Sequence, residues 1–125
     1  MDLRLFGTGR ALIGGAAWLT PRVAARAFAL GNAADDPRGA LVTRLFGARD
    51  LALGLAVAAG PAQLRRAAVR IGIAIDTADA LATVLAARRG LHPAAAVLAG
   101  GGAVTFAVLG VVALREGGAD PGLER

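Results

Sequence analysis

Residues 93–114 read PAAAVLAGGGAVTFAVLGVVAL: a proline opens the stretch, and no charged side chain follows until Arg115-Glu116-Gly117-Gly118. About 20 mostly apolar helical residues cross the ~30 Å hydrocarbon layer of a bilayer. A proline at the first helical position and a charged, glycine-rich stop are ordinary punctuation for such a helix. The stretch predicts a membrane span, and the rest of the chain is read outward from it.

Upstream, residues 67–87 carry Arg70, Asp76 and Asp79 and run into Arg88-Arg89-Gly90. Residues 40–59 carry Arg44, Arg49 and Asp50 and stop at Gly60-Pro61. Residues 3–19 are interrupted by Arg4 and Arg10 and followed by Thr20-Pro21. The lengths predict an all-α, four-transmembrane-helix bundle with spans at 3–19, 40–59, 67–87 and 93–114, a single integral membrane domain over residues 1–125. A cleavable signal peptide competes for the first span, because Ala11 to Leu19 is a short apolar run and Ala25-Arg26-Ala27 has cleavage-site character. After the first span, Arg22 and Arg26 lie four residues apart ahead of Gly31-Asn32, the pattern of a short interfacial helix. Residues 32–39 then read as a polar loop. No Ser-rich linker, coiled-coil heptad or convincing internal repeat stands out.

Composition agrees. The chain is 56% apolar before its 18 glycines are counted, where a soluble domain reaches roughly 45–50% with glycine included. Mean hydropathy is +0.59. The absence of cysteine excludes disulfides, thiolate metal sites and cysteine nucleophiles. The net charge of +5 comes from dispersed arginines, with only the doublets Arg65-Arg66 and Arg88-Arg89 and no aromatic residues interleaved. That argues against nucleic acid and for cationic loops meeting a lipid headgroup layer. Orientation stays open, because Arg4, Arg65, Arg66, Arg115 and Arg125 on one side balance Arg22, Arg26, Arg38, Arg88 and Arg89 on the other. The alanine and arginine bias without lysine fits a high-GC bacterial source, and the four spans then predict a multi-pass protein of the bacterial inner (plasma) membrane.

The charges inside the spans fall at one depth. Arg10, Arg49, Asp50, Asp76 and Asp79 all converge on the bilayer centre, where each unpaired charge costs ~2.5–3.5 kcal/mol. On a helix, Gly72, Asp76, Asp79 and Thr83 share one face, as do Thr43, Gly47, Asp50 and Gly54, and as do Gly7, Arg10, Gly14 and Ala17. Alanine rows at 74, 78, 82 and 86 and at 95, 99, 103 and 107 predict close packing of the last two spans. The expected cluster is Arg10, Arg44, Arg49, Asp50, Asp76, Asp79 and Thr83, with Arg44 on the level of Asp79 and Thr83. Two readings stand: an ion-pair lattice that fixes helix order, or a functional polar pocket in which Asp50, Asp76 or Asp79 is a catalytic acid or base.

Other motifs are weaker. Asp76-Thr77-Ala78-Asp79 has the spacing of a magnesium-binding acidic pair, but a second acidic motif is missing, and no metal or cofactor is expected. Phe46-Gly47-Ala48-Arg49-Asp50 keeps only a fragment of the phosphatidyl-transferase signature. His92 sits at a helix start with no second histidine. Gly7-Thr8-Gly9 and Gly100-Gly101-Gly102 lack the context of phosphate loops. Trp18, the single tryptophan, lies where an interfacial anchor belongs.

The segment Leu45 to Gly54, LFGARDLALG, with Leu19-Thr20-Pro21-Arg22 before it and Asp76-x-x-Asp79 after it, resembles a group of small four-helix actinobacterial membrane proteins of unknown function. The resemblance implies a four-span bundle with these charges inside and carries no activity. The functional expectation is an accessory, structural or self-associating membrane subunit with a buried Arg/Asp cluster, partnered by the lipid bilayer and by itself or a larger membrane complex. The alternatives are a membrane-embedded enzyme that uses an aspartate as acid or base on an isoprenoid or other lipid, and a small proton-coupled exporter.

Overall fold

The structure, a computed structural model, describes residues 1–118. Arg125 and the end of the domain expected over residues 1–125 lie outside the described residues. Asp2 caps the first helix, α1 (Leu3–Leu19), by accepting a hydrogen bond from the Arg4 amide at 2.8 Å. Pro21 opens the short α2 (Pro21–Ala27). This helix closes with the Leu30 amide donating to the Ala25 carbonyl at 2.8 Å and the Ala29 amide to the Arg26 carbonyl at 3.0 Å. The turn needs a left-handed residue, usually glycine, and here it is Ala29, with φ of 56°. A 3-10 turn at Ala33–Asp35 leads to Pro37, the first residue of α3 (Pro37–Ala59). Gly60-Pro61 separates α3 from α4 (Ala62–Arg88), and Gly90, with φ of 98°, turns the chain toward α5 (Pro93–Gly118).

The result is an all-α chain of five helices among the described residues. Three helices extend past the expected spans, because a helix ends at its breakers and not where its apolar stretch ends. α3 starts at Pro37 and shortens the expected polar loop, α4 starts directly after Pro61 with Arg65 and Arg66 in its first turns, and α5 continues through Arg115. Among the described residues only α5 is long and apolar enough to cross a membrane by those criteria alone, with a mean hydropathy of 2.2 over Pro93–Glu116. α1 has 17 residues, and α3 and α4 carry the arginines and aspartates that lower their hydropathy.

The helices pack as two antiparallel pairs, α1 on α3 and α4 on α5, with thinner contact between the pairs. Glycines make the first pair. A Cβ on Gly14 would lie 2.2 Å from the Leu51 nitrogen, and one on Gly47 would lie 2.6 Å from the Gly14 carbonyl oxygen. A Cβ on Gly54 would sit 2.3 Å from the Ala11 nitrogen, and one on Gly7 would sit 2.7 Å from the Gly54 carbonyl oxygen. The two backbones therefore touch at both ends of a seam.

That seam corrects the sequence reading, which saw no repeat. Arg4-Leu5-Phe6-Gly7 recurs as Arg44-Leu45-Phe46-Gly47, and Gly14 and Ala16 recur as Gly54 and Ala56. Gly7 meets Gly54 while Gly14 meets Gly47, so a local two-fold relates α1 to α3. The equivalent positions nearest its centre hold Arg10 and Asp50.

A second correction concerns the alanine rows. On α5 the row is turned inward, with Ala95 buried and Ala99, Ala103 and Ala107 half-buried, but on α4 Ala74, Ala78 and Ala82 are exposed. α4 instead presents Val69, Ile73 and Thr83, which meet Gly110 and Gly100 of α5. Larger residues on one helix fill the space left by glycines on the other.

The interior has inverted polarity. Val57 is the largest side chain essentially without exposure, and the buried set is otherwise small residues, Val69, and the charged Arg10, Asp50 and Asp76. Large apolar side chains such as Leu5, Leu12, Leu41, Leu45, Leu81 and Val97 point outward. One end of the bundle closes over Val57, Ala68 and Val69, with Phe6, Leu53 and Leu114 against them.

Candidate functional site

Arg10 projects from the centre of the α1 seam and reaches two other helices. Its guanidinium grips Asp76 of α4 in a two-pronged pair, Nη1 to Oδ2 and Nη2 to Oδ1, both at 2.7 Å. Nη2 also donates to Oδ1 of Asp50 on α3 at 2.9 Å. Gly72 makes room for it, because a Cβ there would sit 3.3 Å from Arg10 Nη1. The side chains of Arg10, Asp50 and Asp76 are 3%, 7% and 5% exposed, so water is almost excluded from these pairs. The Nε of Arg10 has no hydrogen-bond partner.

The network continues outward. Nε of Arg49 lies 3.6 Å from Asp50 Oδ1, an electrostatic contact too long for a hydrogen bond. The Arg49 guanidinium then holds Asp79 of α4, Nη2 to Oδ2 at 2.6 Å and Nη1 to Oδ1 at 3.3 Å. Read in order, Asp76, Arg10, Asp50, Arg49 and Asp79 form a ladder of alternating sign across α4, α1 and α3. Each arginine also lies over a phenylalanine: Arg10 Cζ is 5.2 Å from the Phe106 ring centre and Arg49 Cζ 4.8 Å from that of Phe46. Such contacts add on the order of 1–2 kcal/mol where water is excluded.

Above the ladder lies a cavity of about 500 Å³ between the two helix pairs. Asp50, Asp76 and Asp79 line its inner part, and Thr43, Thr83, Phe46, Phe106 and Ala103 its walls. Ala24 and Ala25 of α2, with Phe28 and Leu91, bound it at the end opposite the Val57 plug. From Asp76 to Ala86 along α4 the cavity runs ~15 Å at 1.5 Å per residue. A void of about 10 Å³ on the other side of Arg10 is bounded by Phe6, Val69 and Ile73.

Of the residues expected to cluster, Arg10, Arg49, Asp50, Asp76 and Asp79 are brought together. Thr83 lies beside them on the cavity wall, its hydroxyl donating to its own helix at the Asp79 carbonyl, 2.8 Å away. Arg44 is not brought in: it is exposed and its Nε donates to the Trp18 carbonyl at 3.2 Å, at the end of α1. Phe46 and Phe106, the rings beneath the arginines, were not singled out from sequence. The repeated Arg-Leu-Phe-Gly would have exposed Phe46, and Phe106 carries no comparable signal. Among the described residues no group of acidic or histidine side chains is arranged to hold a metal ion. No known protein family, characterised protein or solved structure matches this chain.

Proposed function

We propose that this chain is a small multi-pass membrane protein in which α1, α3, α4 and α5 cross a bacterial inner membrane, α2 lies at its interface, and the charge ladder holds the helices in order. The observation that carries this reading is the inverted polarity: charges and small residues inside, large apolar side chains outside. In water such a surface aggregates, whereas in lipid it is solvated. The apolar stretch of α5 is only 11% buried, unlike the core helix of a water-soluble domain. Three helices carry charges that would cost several kcal/mol in lipid if each crossed alone, and in the ladder each of the five has a partner of opposite sign.

Within that reading the ladder serves a non-enzymatic, structural role. Asp50 and Asp76 are committed to Arg10, which supports an accessory or self-associating membrane subunit over a lipid enzyme with a free catalytic carboxylate.

Trp18, the single tryptophan, tests it. In reconstituted vesicles, lipids brominated near the headgroup should quench its fluorescence strongly and lipids brominated at the chain end weakly. No quenching by either would place α1 outside the bilayer and overturn the four-span reading.

A further inference from the structure

The ladder contains two arginines and three aspartates, so its formal charge is −1. In an apolar surrounding an uncompensated charge is costly, and an opposite charge nearby removes the cost. The excess negative charge is accessible from one direction. Each end of the ladder has a single arginine partner, Arg10 for Asp76 and Arg49 for Asp79, but Asp76 and Asp50 are buried around Arg10 while Asp79 keeps a side chain 34% exposed. All three carboxylates line the cavity, and among the described residues no arginine does. The cavity therefore offers negative charge at its inner end and aromatic and aliphatic walls along its length, supplied by Phe28, Phe46 and Phe106 together with alanines. Its volume of about 500 Å³ lies within the ~300–1,000 Å³ of small-molecule sites.

We propose that this cavity binds a monovalent organic cation with an apolar body, a hydrophobic amine or ammonium, whose charge balances the net negative charge of the ladder from its exposed end at Asp79. An anionic lipid headgroup is repelled by the same wall, and a neutral isoprenoid leaves the charge uncompensated. Phenylalanine faces favour a cation over an anion of equal size. The two helix pairs meet through the ladder and around Val57, and the cavity lies between them. The proposal rests on the membrane reading only for the route by which the cation arrives. A binding failure leaves the helix topology untouched, and a topology failure leaves the binding result standing.

The test uses the full chain in mild detergent and a pair of probes of the same shape and opposite charge, tetraphenylphosphonium and tetraphenylborate, measured by equilibrium dialysis. The expected result is saturable binding of the phosphonium at one per chain, at least tenfold tighter than the borate. Asp79→Asn leaves two arginines facing two aspartates, a neutral ladder, and should weaken phosphonium binding at least tenfold while thermal unfolding stays cooperative. Ala103→Phe fills the cavity with every charge in place and should cause the same loss. It carries the test by itself if Asp79→Asn does not fold. Equal binding of the two probes, no saturable binding of the phosphonium, or binding that survives cavity filling or a folded Asp79→Asn overturns the proposal.

Discussion

Arg10 and Asp50 occupy equivalent positions in two copies of one helical segment, three residues after the glycines Gly7 and Gly47, and they bond to each other at 2.9 Å across the local two-fold between α1 and α3. Had the repeats stayed alike, two arginines or two aspartates would face each other at the centre of the seam. Opposite charges turn that clash into the first link of a ladder. The glycines on either side bring the backbones close, and the Arg10 side chain extends beyond the pair to Asp76. One arginine thereby fixes three helices.

Replacing Arg10 with methionine removes the partner of two buried carboxylates. Breaking a buried pair from one side costs about 3–5 kcal/mol, so Arg10→Met should lose cooperative thermal unfolding, followed by circular dichroism in micelles. The cost arises from the stranded charges. Combining Arg10→Met with Asp50→Leu and Asp76→Asn should therefore restore most of it; a triple variant no better than the single one would show that the arginine acts by packing alone.

Gly14 and Gly9 both lie on α1 but face different surroundings. A methyl on Gly14 collides with the Leu51 backbone, whereas nothing lies within 4 Å of a Cβ on Gly9. Gly14→Ala should destabilise by about 1–3 kcal/mol through overpacking. Gly9→Ala should be neutral or stabilise by up to ~1 kcal/mol, since alanine favours the helix. Chemical denaturation of the two variants side by side measures the difference, and similar values for both would contradict the seam.

Ala29 carries the left-handed conformation that ends α2. Glycine adopts it without the ~1–2 kcal/mol that a Cβ costs there. Ala29→Gly should raise the melting temperature and Ala29→Val lower it. The opposite order would mean that α2 ends differently.

Much of this was legible in the sequence because helical spacing reports faces. The sets Gly7, Arg10, Gly14 and Gly47, Asp50, Gly54, and the stripe Gly72, Asp76, Asp79, Thr83, do turn toward one another. Spacing does not report partners or reach. Spacing puts Arg44 on the level of Asp79, but the carboxyl end of α1 lies within range of its long side chain and the Trp18 carbonyl takes it. The α4 alanines are small enough to pack, yet Val69, Ile73 and Thr83 fit the glycines of α5 better. The repeat was hidden by the swap of arginine for aspartate at its most conspicuous position. The cavity has no local signature at all, since it exists where two helix pairs fail to touch.

The central claim, four crossings with the ladder inside, predicts which loops share a side of the membrane. The chain has no cysteine, so Asn32→Cys and His92→Cys each introduce a single thiol in a connection between helices, and Gln63→Cys introduces one in the first turn of α4. In oriented vesicles an impermeant maleimide should label Cys at positions 32 and 92 from the same side and at position 63 only from the other. Labelling of positions 32 and 63 from one side would mean that α3 does not cross, and would contradict the account.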